Sequence, residues 1–166
     1  MPFGTRTRGI PSFISLFSEP LLWKQGSRSF ATGLSRYLDS EGTETVPEAR
    51  IVIPVASPSP SAETSFLAVV DTAAPWCVFR PDVVLDHFEP VPDRVVLSTR
   101  LGVFHGRLYR GLITLVADQG TPLDVDATVF LAPDWPGPNF LGYQGFLQRI
   151  RFAVDPESNL FYFGRI

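Results

Sequence analysis

The apolar residues of this chain fall in short runs that proline, glycine, serine and aspartate separate. Runs of this kind, rich in Val, Ile, Phe and Leu, are typical of β-strands. The clearest are ARIVIPVA, TSFLAVVDT, WCVF and PLDVDATVFLA. Apolar and polar positions alternate in the last run, which predicts a half-buried strand. Its inward positions are Leu123, Val125, Ala127 and Val129, and its outward carboxylates are Asp124 and Asp126.

Two longer stretches predict hairpins. RVVLSTRLGVFHGRLYRGLITLVAD contains two β-rich runs around Gly102 and Gly106. The C-terminal stretch IRFAVDPESNLFYFGRI turns through Asp155–Asn159. A short helix is predicted just before this second hairpin, from about Tyr143 to Gln148. The predicted fold class is therefore all-β, with one short C-terminal helix.

The first 45 residues mix Gly, Ser, Thr and Arg with isolated aromatic residues and show no sustained alternation. We interpret residues 1–45 as an N-terminal extension, either a pro-segment or a linker, and residues 46–166 as the domain. Within the extension, Ser27–Leu38 has apolar residues at helical spacing, which predicts a short helix, with an ordered coil as the alternative. As a pro-segment, the extension would fold over a cleft of the domain.

Composition and charge exclude several classes of function. The chain has 166 residues, 45% of them hydrophobic, which is enough for one core of ordinary domain size. Its formal net charge of -3 provides no excess of Lys and Arg for phosphate contacts, so we expect no nucleic-acid partner. No apolar run approaches the ~20 residues that cross a bilayer. Pro11 also interrupts the N-terminal stretch that resembles an export signal, so we expect no membrane partner and a cytoplasmic location, with export as the alternative.

The cysteine and histidine content predicts no redox or metal chemistry. Cys77 is the sole cysteine and lies in apolar sequence, which predicts a small buried side chain. His87 and His105 are isolated from other metal-ligating residues in the sequence. We therefore expect no metal and no other cofactor.

Asp71 is the candidate for chemistry because it ends an apolar run, AVVD, as a lone carboxylate. Two interpretations are open from the local sequence: the carboxylate caps a turn, or it is held where it activates water. The other aspartates of the domain are interpreted as solvated or turn-forming. The sequence contains no Gly-rich phosphate loop, Ser-His-Asp set or nucleophile elbow.

The stretch VVDTAA at Val69–Ala74 resembles the active-site stretch of the retropepsin-like (clan AA) aspartic proteases, Asp-Thr/Ser-Gly-Ala/Ser. Downstream, NFLGYQGFLQRIRFAVDPESNLFYFG is similar to the second signature of that family, an apolar pair and Gly followed by a short helix and a closing hairpin. Phe140, Leu141 and Gly142 match the apolar-apolar-Gly element. The similarity covers about Ile51–Gly164 and implies a retropepsin-like closed barrel or sandwich, as in single-domain bacterial members.

The resemblance implies an aspartic endopeptidase in which Asp71 is the catalytic carboxylate. Two neighbouring carboxylates cannot both ionise and therefore share one proton, which gives one an acid and the other a base role. Since no second Asp-Thr-Ala stretch exists in the chain, the resemblance implies a homodimer with one Asp71 from each subunit. Thr72 would hydrogen-bond across the dimer axis, with Ala73 and Ala74 as further supporting residues of the site.

The substrate implied by the resemblance is an extended peptide that binds as an added strand. The hairpin around TRLGVFHG corresponds by position to the flap, the family's mobile lid, with an ordinary hairpin as the alternative, because glycine serves both. The residues expected to contact substrate are Trp76, Gly102, Val103, Leu141 and Gly142.

Two departures from the family pattern lead to an alternative. Ala73 stands where the family has Gly, and a positive φ there would strain the backbone. Pro75 and Tyr143 stand where retroviral members have an Asp–Arg pair, so we expect a packed Pro–Tyr contact in its place. The alternative function is a catalytically inactive retropepsin-fold module that dimerises or binds peptide.

Overall fold

The computed structural model describes residues 24–25, 28–29, 31–36, 50–58, 64–83 and 86–166. These residues contain thirteen strands and one three-residue 3₁₀-helix, Leu147–Arg149. The strands are β1 Lys24–Gln25, β2 Arg28–Ser29, β3 Gly33–Arg36, β4 Val52–Ser57, β5 Thr64–Asp71, β6 Cys77–Phe79, β7 Glu89–Thr99, β8 Gly102–Leu115, β9 Gln119–Gly120, β10 Leu123–Leu131, β11 Phe140–Gly142, β12 Ile150–Asp155 and β13 Leu160–Arg165. The all-β prediction is confirmed.

Six strands form a closed barrel in the order β10-β6-β11-β5-β4-β8. Antiparallel pairing of β10 with β8, from Leu123 opposite Leu115 to Leu131 opposite Arg107, closes it. Two of the pairings, β10 with β6 and β11 with β5, are parallel. Closure leaves these six strands without a free edge in the barrel wall.

The alternation predicted for β10 is confirmed. Leu123, Val125, Ala127 and Val129 are buried in the barrel core, whereas Asp124 and Asp126 are exposed. The largest completely buried side chains include Ile53, Val55, Phe79, Ile113, Leu115, Val129, Leu141, Phe146, Phe161 and Phe163. They come from the barrel strands, from the C-terminal hairpin and, for Phe146, from the segment between them, so barrel and hairpin share one hydrophobic core.

Cys77 is completely buried in this core, as predicted. Burial disfavours the charged thiolate and raises the pKa of the thiol to about 12. The side chain is therefore a small apolar core group at neutral pH.

The β7–β8 hairpin predicted from the sequence is confirmed. Its turn is Arg100–Leu101, and Gly102 follows with a φ of 136°, a conformation that glycine adopts readily. Gly106 lies inside β8, where an added Cβ would be 2.2 Å from the carbonyl oxygen of Leu131. Gly102 therefore serves the turn, and Gly106 permits close packing of the hairpin on the end of β10.

A second sheet has the order β12-β13-β3-β9, so the predicted C-terminal hairpin is confirmed. The helix predicted over Ser27–Leu38 is wrong where the chain is described, because β2 and β3 are strands. β3 pairs antiparallel with β13, and Leu34 is buried while Arg36 is exposed. Pairing with an otherwise free strand edge decides the structure of β3, which local spacing does not reveal. Within residues 1–45 the structure also describes β1 and residues 31–32, and the remainder lies outside the described residues.

The short helix predicted from Tyr143 to Gln148 is also corrected. The chain forms turns there, followed by the 3₁₀-helix Leu147–Arg149. The main chain of Gly145 bonds to other segments: its N–H donates to Pro75, and its carbonyl accepts from Thr128. Because these groups are engaged elsewhere, a regular α-helical bond pattern does not form. The described segments contain no helix with the length and hydropathy that a membrane span requires.

Candidate active site

Asp71 is the last residue of β5 and is half buried. β5 lies between β4 and β11, and Asp71 is directly opposite Gly142 in the parallel β5–β11 pairing. The preceding N–H groups are also bonded: Val69 donates to Asn139 and Val70 donates to Ile51, each at 2.8 Å. The strand that carries the carboxylate is therefore held from both sides.

The turn after β5 orients the carboxylate. The Ala73 N–H donates to Asp71 Oδ1 at 2.9 Å, and the Ala74 N–H donates to the Asp71 carbonyl at 3.3 Å. Ala73 has no positive φ; among the described non-glycine residues only Asn159 does. Alanine at position 73 therefore introduces no left-handed strain, and its N–H performs the orienting role.

A second loop, Gly142–Gly145, packs directly against this turn. The Tyr143 N–H donates to Ala74 at 2.7 Å, and the Gly145 N–H donates to Pro75 at 2.9 Å. A Cβ on Gly142 would be 2.1 Å from the Trp76 carbonyl oxygen, so only glycine fits there. The Tyr143 side chain is 47% exposed. Main-chain hydrogen bonds thus join the two loops, where the sequence suggested a packed Pro75–Tyr143 contact.

Asp71 lines a cavity of about 410 Å³. Leu101, at the tip of the β7–β8 hairpin, lines the same cavity, so the hairpin tip lies at the mouth of the site. Arg50 is its one cationic lining residue among those described. The remaining walls are apolar and come from Val69, Val70, Pro138 and Phe140.

No protein-family model matches this chain, and no curated protein matches its sequence. Among the described residues, no group of three or more His, Cys, Asp and Glu side chains is arranged to hold a metal ion.

The other predicted site residues lie around the cavity in different ways. Thr72 and Ala73 are exposed beside Asp71. Leu141 is completely buried in the barrel core, and Gly142 contributes its main chain alone. Val103 is 57% exposed and alternates with the inward-facing Phe104, so its side chain is on the outer face of the hairpin.

Trp76 belongs to an aromatic cluster beneath the hairpin. It stacks on Phe130 with ring centroids 6.5 Å apart. In the same cluster the ring of Trp135 packs edge-on against Phe104 and Phe140, with ring centroids 5.0 Å and 6.0 Å apart, respectively. Since Phe140 also lines the Asp71 cavity, the cluster connects the inner face of the hairpin to the wall of the site.

Asn139 is a residue of the site that the sequence reasoning missed. It is buried, and its side chain donates to the Leu67 carbonyl at 3.0 Å and accepts from the Arg80 N–H at 2.8 Å. Its own carbonyl accepts the Val69 N–H. One side chain thereby ties β11 to β5 and to the end of β6. The available signal was a polar residue directly before the apolar pair and Gly142.

Proposed function

We propose that this chain is the subunit of a homodimeric aspartic endopeptidase with a retropepsin-like barrel. The observation that carries the proposal is the position of Asp71: an oriented carboxylate at the end of a central barrel strand, in a cavity that the tip of a long hairpin overhangs. A carboxylate that only caps a turn does not require such a cavity. The apolar walls and overhanging tip suit a substrate with apolar side chains.

The proposed dimer follows from the chemistry of one carboxylate. Hydrolysis of a peptide bond needs a base for the water and an acid for the carbonyl oxygen, and one Asp cannot be both at once. Thr72 and Ala73, next to Asp71, are exposed, as is Tyr143 on the adjoining loop. These residues form the surface through which a second Asp71 would approach, and a two-fold axis would bring the two carboxylates together.

In the proposed mechanism the two Asp71 carboxyl groups share one proton. The ionised carboxylate removes a proton from water, and the water oxygen bonds to the carbonyl carbon of the substrate. The protonated carboxyl gives its proton to the carbonyl oxygen, which produces a tetrahedral diol. In the breakdown the carboxyl that took the water proton gives it to the amide nitrogen, while the other carboxylate removes a proton from a diol hydroxyl. The C–N bond then breaks, which releases an amine and a carboxylic acid and leaves the pair sharing one proton again. The Ala73 N–H keeps the carboxylate oriented throughout.

The substrate class is an extended peptide. The hairpin tip and strands β5 and β11 line the same cavity, and an extended segment would lie between them. Val70, Leu101 and Phe140 supply apolar surface for side chains near the scissile bond. We therefore propose preference for apolar residues at the cut site.

The decisive experiment compares cleavage of unfolded casein by the native chain, Asp71→Asn and the control Asp126→Asn, whose carboxylate is solvent-facing on β10. We expect Asp71→Asn to lose cleavage and the control to retain it. Equal cleavage by all three would overturn the proposal. A chain that binds casein peptides and dimerises without cleaving them would instead be the inactive binding module.

A mixing experiment tests the shared dyad. Adding a threefold excess of Asp71→Asn to a fixed amount of native chain, with time for subunit exchange, should reduce cleavage to about one quarter, because most native subunits then pair with an inactive partner. Cleavage that stays constant in the mixture would show that each chain works alone, which contradicts the proposed mechanism.

A further inference from the structure

A second cavity, of about 530 Å³, lies at the base of the β7–β8 hairpin and shares no lining residue with the Asp71 cavity. Strands β7 and β8 supply most of its wall, and the end of β10 with the two residues after it, together with Pro81, supplies the rest. The residues that matter for its chemistry are Arg94, His105, Arg107, Tyr109, Leu131 and Pro133. A volume of this size accommodates a small organic molecule.

Two arginines lie opposite each other on neighbouring strands of this cavity wall. Arg94 and Arg107 are Cα partners in the antiparallel β7–β8 pairing. Like charges at directly opposite positions destabilise a sheet. Neither arginine makes an ion pair with a described residue. Arg80, by contrast, is paired with Asp82, with Nε 3.0 Å from Oδ1. An anion between the two guanidinium groups would convert this repulsion into attraction.

The rest of the lining is apolar or weakly basic. His105 lies on the same outer face of the hairpin as Arg107, and the floor consists of Tyr109, Leu131 and Pro133. Asp93 and Asp134 are exposed neighbours of lining residues in the sequence, but no described carboxylate lines the cavity. Positive charge at the rim and an apolar floor are complementary to a molecule with one anionic end and an apolar body.

We propose that this cavity binds a small anionic amphiphile, with a carboxylate held between Arg94 and Arg107 and an aromatic or aliphatic body against Leu131 and Pro133. Guanidinium groups bind carboxylates through paired N–H donors, which gives both affinity and orientation. The proposal is independent of peptide hydrolysis at Asp71, because the two cavities have no residue in common.

The test is a titration of the ¹⁵N-labelled full chain with 2-naphthoate and with its neutral analogue 2-naphthalenemethanol, followed by amide NMR spectra. We expect naphthoate to bind at least about tenfold more tightly than the alcohol, because only the carboxylate forms charge-assisted hydrogen bonds with the two guanidinium groups. The shifted amides should include those of Gly106 and Ala132, which line the cavity.

Matched variants locate the anion. The double variant Arg94→Gln/Arg107→Gln should bind the acid and the alcohol equally, while Arg100→Gln, in the hairpin turn and outside the cavity, should retain the difference. Because both mutated side chains are exposed and oppose each other, the double variant should melt at the same temperature as the native chain or higher. Equal binding of acid and alcohol by the native chain, shifts elsewhere, or equal loss in Arg100→Gln would overturn the proposal.

Discussion

Gly142 and Asp71 are directly opposite each other on neighbouring parallel strands, with the Trp76 carbonyl oxygen 2.1 Å from where a Gly142 Cβ would lie. The position of the Asp71 carboxylate therefore depends on a glycine at position 142. A methyl group at position 142 would push the Trp76 main chain away and separate the two loops. The Tyr143–Ala74 hydrogen bond next to it would weaken with that movement.

We expect Gly142→Ala to lower the free energy of unfolding by about 2–4 kcal/mol, since backbone and not a flexible side chain must move. Urea denaturation measures the loss. The neighbouring Tyr143→Ala is the control, because it removes an exposed side chain and keeps the N–H bond to Ala74. Equal stability of Gly142→Ala and the native chain would contradict the packing described for these loops.

The sequence predicted those elements whose residues obey a local rule. The alternation in β10 and the turn residues of the two hairpins were sufficient, and Asp71 lies at the strand end where the pattern predicted it. β3 was missed because Leu34 fits a helical spacing as well as a strand, and pairing with β13 decided between them. The helix predicted over Tyr143–Gln148 does not form because main-chain groups of this segment bond to distant residues.

The site was predicted in part for the same reason. The Asp71 turn is local in sequence, so its residues were identifiable. Arg50, just before β4, and Leu101, in the β7–β8 turn, line the cavity, and no local pattern relates either of them to Asp71. Leu141 matched an apolar motif position, but the motif does not say which face of β11 it occupies. It faces the core.

Leu101 should contribute to substrate binding without contributing to stability. It is 63% exposed and lines the Asp71 cavity, so a substrate would cover it where the free chain does not. Leu101→Ser should reduce kcat/KM for an apolar peptide by about tenfold, the equivalent of burying part of a leucine side chain. The melting temperature should be unchanged. Steady-state cleavage and thermal denaturation measure the two quantities.

Val96→Ser is the matched control for this prediction. Val96 is 55% exposed on the same hairpin but lines the other cavity. Its substitution should leave peptide cleavage unchanged. If both variants lose activity to the same degree, the proposed contact between the hairpin tip and substrate in the Asp71 cavity is contradicted.

Cys77 should make stability depend on alkaline pH. Burial raises the pKa of its thiol from 9.0 to about 12, so the folded chain keeps a proton that the unfolded chain releases. The resulting stabilisation is complete below pH 9 and is lost as pH rises from 9 toward 12, with a slope of at most about 1.4 kcal/mol per pH unit. Urea denaturation of the native chain and of Cys77→Ala between pH 7.5 and about 10.5 measures it.

The difference between the two chains is the informative quantity. Cys77→Ala leaves a small cavity, which lowers the free energy of unfolding by the same amount at every pH. Burial also raises the pKa of Tyr162, but that residue is present in both chains and cancels. The stability advantage of the native chain should therefore shrink above pH 9. A constant advantage across the range would mean that the thiol titrates normally and is reached by solvent.

Asn139→Asp should destabilise the fold in a manner that acid reverses. The amide donates to the Leu67 carbonyl and accepts from the Arg80 N–H, and an ionised Asp keeps the second bond but opposes its oxygen to the Leu67 carbonyl. A buried carboxylate that lacks this donor should lower the free energy of unfolding by about 2–4 kcal/mol at neutral pH. Protonation restores an O–H donor, so the stability lost relative to the native chain should be regained as pH falls.

Gln144→Glu is the control for this last experiment, because its amide is exposed and the same change of amide to carboxylate there leaves no buried group unbonded. Denaturation of all three chains from pH 7.5 to about 4.5 should show recovery in Asn139→Asp and a flat difference in Gln144→Glu. A loss in Asn139→Asp that is small, or that does not change with pH, would mean that Asn139 does not hold β5 and β11 together. The orientation of Asp71 would then depend on the Ala73 turn and the glycine contact alone.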